Sequence, residues 1–276
     1  MSDWPAISAL ASPLSQVDDL ARIARQAVGA EEGALPLRDA CQAAKVTVEV
    51  RPLTLGRKRH RAMLVPADKG FRATVDRVLW EQAKQADWGR HRLRFVLAHE
   101  LGHTFFYRAG SPPKRERPAD REEEQFCHHF ANSLLVPPAA ARRAPLEPEG
   151  LFALAGRFDV SLQVAAWAIT RARPSVTLLW LRRAPHPTNG GQETMRVEWG
   201  ASLKRFIAVG ESLKSPLAQL SPGEHDESTE PLHLAGRRET TRIRAWRFSS
   251  AMLAIVTPEE GESTPPPLHR RQAAFF

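Results

Sequence analysis

Two cysteines in 276 residues, Cys41 and Cys127, are too few for a disulfide framework, so the chain must hold together by burying side chains. No apolar run approaches the eighteen or so residues of a membrane span. The opening Met1-Ser2-Asp3-Trp4-Pro5 lacks the basic start and apolar core of a secretion signal. A reduced cytoplasm is therefore the expected compartment, with no membrane partner. Tyrosine is nearly absent, and Tyr107 is the single example. The chain shows no internal repeat, which excludes a solenoid.

What remains is an ordinary globular composition, 42% hydrophobic, long enough for two domains or one domain with an appendage. The net charge of +8 is uneven, and residues 57–121 carry nine more basic than acidic side chains. The clusters are Arg57-Lys58-Arg59-His60-Arg61, Arg90-His91-Arg92-Leu93-Arg94 and Lys114-Arg115-Glu116-Arg117. Such clusters attract nucleic acid or an acidic partner, although a solvated face is the plainer reading, so direct nucleic-acid binding stays open.

Between the second and third clusters lies His99-Glu100-Leu101-Gly102-His103. Chance alone yields His-Glu-x-x-His in about two per cent of shuffled chains of this composition, so context has to carry weight. Leu93, Val96 and Leu97 precede it at helical spacing, which predicts a buried helix. On that helix His99 and His103 lie one turn apart on one face, able to grip one zinc ion, with Glu100 beside it as a general base.

Around this motif the pattern predicts helices over 16–28 and 36–44, then strands at 46–50, 61–65 and 71–75. Gly110-Ser111-Pro112-Pro113 breaks the chain, and Asp120 is a plausible N-cap for a helix that ends before Pro137-Pro138. Two helices, 149–158 and 161–172, flank Asp159-Val160-Ser161 and suggest a helix-turn-helix. The second offers only Gln163 to a base edge, so it reads as a packing unit rather than a DNA reader. Later strands are predicted at 176–181, 195–199, 241–246 and 251–256, with Asn189-Gly190-Gly191 as a hairpin turn and Ser221–Glu230 as a polar loop. Trp180, Trp199 and Trp246 fall among these strands and read first as buried bulk, second as part of a ligand site.

A catalytic zinc usually takes three protein ligands and leaves one position open. The helix after Asp120 supplies the third. Glu124 is favoured because Cys127, His128 and Ala131 share its face; Glu122 and Glu123 compete by proximity, and His128 either binds metal or orients a ligand.

These two blocks, His99-Glu100-Leu101-Gly102-His103 and Glu124-x-x-Cys127-x-x-Phe130-Ala131-Asn132-Ser133-Leu134-Leu135-Val136-Pro137, with the lead-in Arg94-Phe95-x-Leu97-Ala98, resemble the ImmA/IrrE family of bacterial metallopeptidases. The resemblance covers residues 35–172. It implies zinc ligands at His99, His103 and Glu124 and the catalytic glutamate at Glu100. His128 stands where the family often has Asn or Asp, and Tyr107 where it often has His. Tyr107, on the ligand face, is a candidate oxyanion donor or a support behind the ligands. Zinc is the expected cofactor, with manganese compatible with the same ligand types.

The resemblance further implies an α+β fold: a zincin-like metallopeptidase domain of a small sheet and active-site helices over 1–140, and a helix-turn-helix-like segment over 141–174. A C-terminal mixed α/β domain over 175–264 loosely resembles GAF-like sensor modules, and 265–276 is a flexible tail. The implied substrate is a protein, a helix-turn-helix transcriptional repressor cleaved in response to stress or mobile-element signals. The competing reading is a non-proteolytic, zinc-containing regulator that binds DNA or a repressor, and a third is a zinc hydrolase acting on something other than peptides. The peptidase is favoured because a purely structural site has no use for Glu100 and usually has four protein ligands.

Overall fold

Two helices, α1 (Pro13–Gln26) and α2 (Leu37–Ala43), open the chain close to the predicted bounds. The computed structural model describes Trp4 and residues 13–55, 58–59, 61–109, 121–185, 193–203, 216–234 and 237–258. Strand β1 (Val46–Arg51) follows, then the short ribbon of β2 (Thr54–Leu55) and β3 (Lys58–Arg59), then β4 (Ala62–Ala67) and β5 (Gly70–Asp76). One sheet forms in the order β1-β5-β4, with central β5 parallel to β1 and antiparallel to β4. Val46 pairs with Phe71 and Leu64 with Ala73, matching the alternation of the three segments.

Asp76 ends β5 and at once starts α3 (Arg77–Gln85): its carboxylate accepts from the Val78 N–H at 3.1 Å. An extended Ala86 then separates α3 from α4 (Asp87–His103), the predicted motif helix. Val75, Leu79 and Leu97 form a core between sheet and helices, with Leu93, Val96 and Trp80 packed around it. Burying three such side chains stabilises the unit by roughly 1.5–3 kcal/mol each.

Helix α5 (Arg121–Leu135) packs along α4 and α1 and buries Phe126, Phe130, Leu134 and Leu135 completely. It stops where Pro137-Pro138 predicts, and α6 (Pro138–Arg143) begins there. Asp120 and the breaker at 110–113 lie outside the described residues, as does the cluster 114–117. Buried Arg25 of α1 ties the end of α5 down by donating to the Leu134 carbonyl at 2.7 Å, and donates again to the Gly33 carbonyl at 2.6 Å. Burial, then the nearby Arg94 charge, brings its pKa down to about 10.

The two-helix segment is α7 (Pro148–Phe158) and α8 (Leu162–Ala172). Asp159 sits at φ 50° in the left-handed region, and Val160 N–H reaches back to the Ala155 carbonyl at 3.1 Å, a helix-ending turn. Ser161 Oγ accepts from Val164 N–H at 3.3 Å and caps α8. Val164, Ala165, Ala166, Ala168 and Ile169 are buried, so α8 spends its apolar face on packing. Asn132 of α5 fastens it by donating to the Val164 carbonyl at 2.9 Å.

The chain divides into two compact units, Met1–Ala141 with Ala153–Ala168, and Arg142–Phe152 with Ile169–Phe276. The second unit holds a five-stranded antiparallel sheet: β6 (Thr177–Pro185), β7 (Glu193–Ala201), β8 (His225–Leu234), β9 (Arg237–Arg247) and β10 (Ala251–Pro258), in the order β7-β6-β10-β9-β8. Its apolar face buries Leu179, Leu181, Met195, Val197, Ile243, Ala245, Met252 and Ala254, with Leu217 added from a 3-10 turn, Pro216–Gln219. Four strands lie where alternation predicts them. The polar loop expected at 221–230 is corrected: from His225 on, it is edge strand β8, paired to β9 as Glu227 to Arg244 and Thr229 to Arg242. Over 225–229 both faces are largely exposed, so that stretch carries no alternation.

The tryptophans are also corrected: Trp180, Trp199 and Trp246 are only half-buried and lie among residues that alternate with the core set. Trp180 stacks on Trp199 at 5.9 Å and on Phe248 at 5.7 Å. The predicted hairpin turn at 189–191 and the tail from 265 fall outside the described residues. Among the described residues no helix is long and apolar enough to cross a membrane.

Candidate metal centre

One turn apart on α4, His99 and His103 bring their Nε2 atoms to 3.2 Å, with ring centroids 5.0 Å apart and the rings nearly perpendicular. Glu124 arrives from α5, its Oε2 3.3 Å from His99 Nε2 and its Oε1 3.8 Å from His103 Nε2. Close packing of the helices allows this approach. A Cβ on Gly102 would stand 2.9 Å from Cys127 Cα, so glycine is what lets α5 come this near, three residues after Glu124.

His103 is held from behind. Its Nδ1 lies 2.6 Å from Glu123 Oε1, both groups buried. A carboxylate only accepts, so Nδ1 carries the proton and Nε2 is left with its lone pair toward His99 and Glu124. Tyr107 donates its hydroxyl to the same Glu123 oxygen at 3.4 Å. His99 has no equivalent: its Nδ1 is buried without a hydrogen-bond partner among the described residues. Ring packing locates it instead, between His103 and His128, whose ring centroid is 4.5 Å away. His128 also stacks on Phe95 at 6.1 Å.

The donor set fits zinc. A tetrahedral ion roughly 2.0–2.1 Å from each ligand atom puts neighbouring donors about 3.3 Å apart. His99 to His103 at 3.2 Å and His99 to Glu124 Oε2 at 3.3 Å meet that spacing, while His103 faces the other carboxylate oxygen, Oε1, at 3.8 Å. Two further three-donor groups share His99: His99–His103–Cys127 and His99–Glu124–His128, each within 4.8 Å.

The electrostatics separate the two site carboxylates. Burial, foremost, and the nearby Glu124 charge push the Glu100 carboxyl above the usual carboxylate range, against the pull of His103, His99 and an N–H from Leu64 in β4. Glu124 moves the other way: its hydrogen bond to His99 holds it low, helped by the charges of His99, His103 and His128 and opposed by partial burial. Burial, followed by repulsion from His99, lowers His128 to about 4 and leaves it neutral at ordinary pH.

Behind the motif, the second basic cluster is turned inward. Asp159, at the α7–α8 turn, accepts from Arg90 Nη2 at 2.9 Å and His91 Nε2 at 3.2 Å, and faces Arg94 Nε at 3.4 Å. Partial burial works against its ionisation, yet the Arg90 hydrogen bond and the charges of Arg94, Arg90 and His91 keep its carboxyl below the usual range. The cluster therefore anchors α4 to the two-helix segment.

Residues 70–170, from the first residue of β5 into α8, match the peptidase M78 family model, described as the IrrE N-terminal-like domain. Over that stretch the chain is similar to the ImmA/IrrE family. The matched stretch contains every residue of the centre, from His99 to His128. Among solved structures, a Mycobacterium tuberculosis transcriptional regulator is similar at 13% identity and a TM-score of 0.41, over 88% of this chain and 76% of that one, too loose a likeness to carry an argument. No curated protein matches the chain.

Within the matched stretch His99, His103, Glu124 and Glu100 come together as a group. Tyr107 joins through Glu123. Glu122 is exposed. Glu123, weighed from sequence as a rival ligand, lies behind His103 rather than beside Glu124. The available signal was that a ligand imidazole needs a partner for its second nitrogen, and a carboxylate one position before Glu124 is turned about 100° around the helix, toward that nitrogen.

Proposed function

We propose that this chain is a zinc-dependent endopeptidase that cleaves a helix-turn-helix transcriptional repressor and so derepresses stress-response or mobile-element genes. The convergence of His99, His103 and Glu124 beside a buried Glu100 carries the chemical half of this reading. The family resemblance alone carries the repressor half.

His99, His103 and Glu124 would hold the ion, which when bound supplies Lewis acidity for peptide hydrolysis. The remaining work belongs to side chains. Glu100 accepts the proton of the attacking water and hands it to the leaving amine. Its raised pKa suits a group that must first take a proton and then give it up. The Leu64 N–H steadies its carboxylate form. Glu123 holds the His103 ring and tautomer, and Tyr107 braces Glu123, which makes both positioning residues. Two imidazoles favour zinc over manganese, and metal analysis of purified protein decides between them.

The C-terminal sheet is read as a GAF-like sensor module. The half-buried Trp180–Trp199–Phe248 stack supports this. Small-molecule binding that survives Trp180→Ala and Trp199→Ala together would remove the stack from that role.

The test of the main reading uses wild type and Glu100→Gln, with bound zinc measured and each incubated with a helix-turn-helix repressor encoded beside the gene. Both variants bind zinc and only wild type cuts. Cleavage by Glu100→Gln at the wild-type rate would remove Glu100 from the mechanism. A steep salt dependence of DNA binding by the chain alone would instead favour the non-proteolytic regulator.

A further inference from the structure

The two helices of the centre each present a pair of donors one turn apart. On α4 the pair is His99 and His103; on α5 it is Glu124 and His128, also at i and i+4 on one face. Among three of these four, His99 stands at zinc-site spacing from both His103 and Glu124. We propose that His128 is the fourth protein donor, so that in the resting chain the centre is a closed set of three imidazoles and one carboxylate. This rests on the metallopeptidase reading and adds to it a latent state.

Ring geometry supports the assignment. Imidazoles bound to one tetrahedral ion, with nitrogens roughly 2.0–2.1 Å from it, have centroids about 5 Å apart. His99 and His103 stand at 5.0 Å and 75°, and His99 and His128 at 4.5 Å and 54°. A donor nitrogen of His128, a nitrogen of His99 and a Glu124 oxygen already lie within 4.8 Å of one another. Phe95, one turn before His99 on α4, also stacks with the His128 ring and holds it against that helix. Cys127 is the other nearby donor, but its fully buried side chain fills the seam against Gly102, where its Sγ is 3.1 Å from the position of an added Cβ.

A closed four-ligand zinc is the structural type, and an open one is the catalytic type. Hydrolysis then requires His128 to withdraw and leave a position for water. His103 is held by Glu123, and His128, which shares the intermediate exposure of His99, stands on the other helix, so its withdrawal leaves both imidazoles of α4 in place. Shortening the side chain to Asn should open the centre without touching His99, His103, Glu124 or Glu100.

The experiment reads the metal directly. Full-length wild type, His128→Asn and His128→Gln are loaded with zinc for X-ray absorption and with cobalt for visible spectra, and cleavage of the neighbouring repressor is followed in parallel. The expected result is three imidazoles in wild type and two in both variants, with water in the vacated position and the cobalt spectrum shifted accordingly. Cleavage should rise by roughly tenfold or more in both, the factor expected from about 1.4 kcal/mol of released ligation. Two imidazoles in wild type overturn the proposal and leave the peptidase reading intact. A cobalt–thiolate band overturns it in favour of Cys127. Three imidazoles with cleavage unchanged in the variants overturn the latent state. No zinc in wild type defeats the proposal together with the metallopeptidase reading.

Discussion

The seam between α4 and α5 and the core of the C-terminal sheet are buried by opposite means. Beneath the sheet, Leu179, Leu181, Met252 and Ala254 belong to one apolar cluster, and polar groups such as Thr177 and Ser202 satisfy each other at 3.0 Å. In the seam, Glu100, His103 and Glu123 are buried, with His99, Glu124 and His128 half-buried around them. A sheet core of this kind stabilises by area alone. The seam spends stability on desolvating titratable groups, and such concentrations of shifted groups mark functional sites. The comparison teaches where to look for chemistry in this chain: in the region that folds less economically than it could.

The largest expected effect breaks the seam's chemistry without breaking its fold. Glu100→Gln should lower repressor cleavage by roughly 10²–10⁴-fold, the range for a lost general base, while zinc content and thermal stability hold. A fall in zinc content alongside activity would mean Glu100 acts through the ligands instead.

Next comes the sheet. Leu179→Ala deletes a fully buried side chain and should cost about 2–5 kcal/mol in the unfolding of the second unit, measured by denaturant titration, with zinc affinity unmoved. An equal loss of zinc affinity would show that the two regions are energetically one.

Glu123→Gln keeps the shape behind His103 but lets the amide present either an acceptor or a donor to Nδ1. Chelator competition should show zinc affinity down by roughly 10–100-fold, with Tyr107→Phe smaller in the same direction. Unchanged affinity in Glu123→Gln would make that buried contact one of packing alone.

The smallest effect is a slope. In zinc-free protein burial holds His128 neutral down to about 4, while in the unfolded chain it protonates near 6.5. Between those values the unfolded state binds more protons, so stability is full above about pH 6.5 and falls as pH drops toward 4. The loss should be on the order of 2 kcal/mol and should vanish in His128→Asn. A slope that persists in that variant would belong to other groups.

Much of this was legible in the sequence because local pattern and final environment agree. Val46–Val50 and Phe71–Val75 alternate because the sheet has an inside and an outside, His99 and His103 declare themselves by turn spacing, and Glu124 is favoured by the residues that share its helix face. What escaped depends on partners. Strand β8 has no alternation to read, and its strand character comes from pairing to β9, reinforced by ion pairs such as Arg242 to Glu227 at 2.9 Å. Helix α3 hangs on Asp76, which reads as the end of a strand until its carboxylate is seen on the Val78 N–H. The Arg90–Arg94 cluster reads as a basic surface, yet three of its members converge on Asp159, sixty-eight residues from His91. Glu123 was visible as a carboxylate but not as the partner of His103, because that contact joins two helices.

The central claim is that His99, His103 and Glu124 form one zinc site across the α4–α5 seam. Equilibrium zinc titration of wild type and Glu124→Ala tests it most directly. One zinc per chain in wild type, with affinity at least roughly a hundredfold weaker in Glu124→Ala, is the predicted result, since losing a carboxylate ligand should cost on the order of 3 kcal/mol. Undiminished affinity in Glu124→Ala would contradict it and move the third ligand to His128 or Cys127.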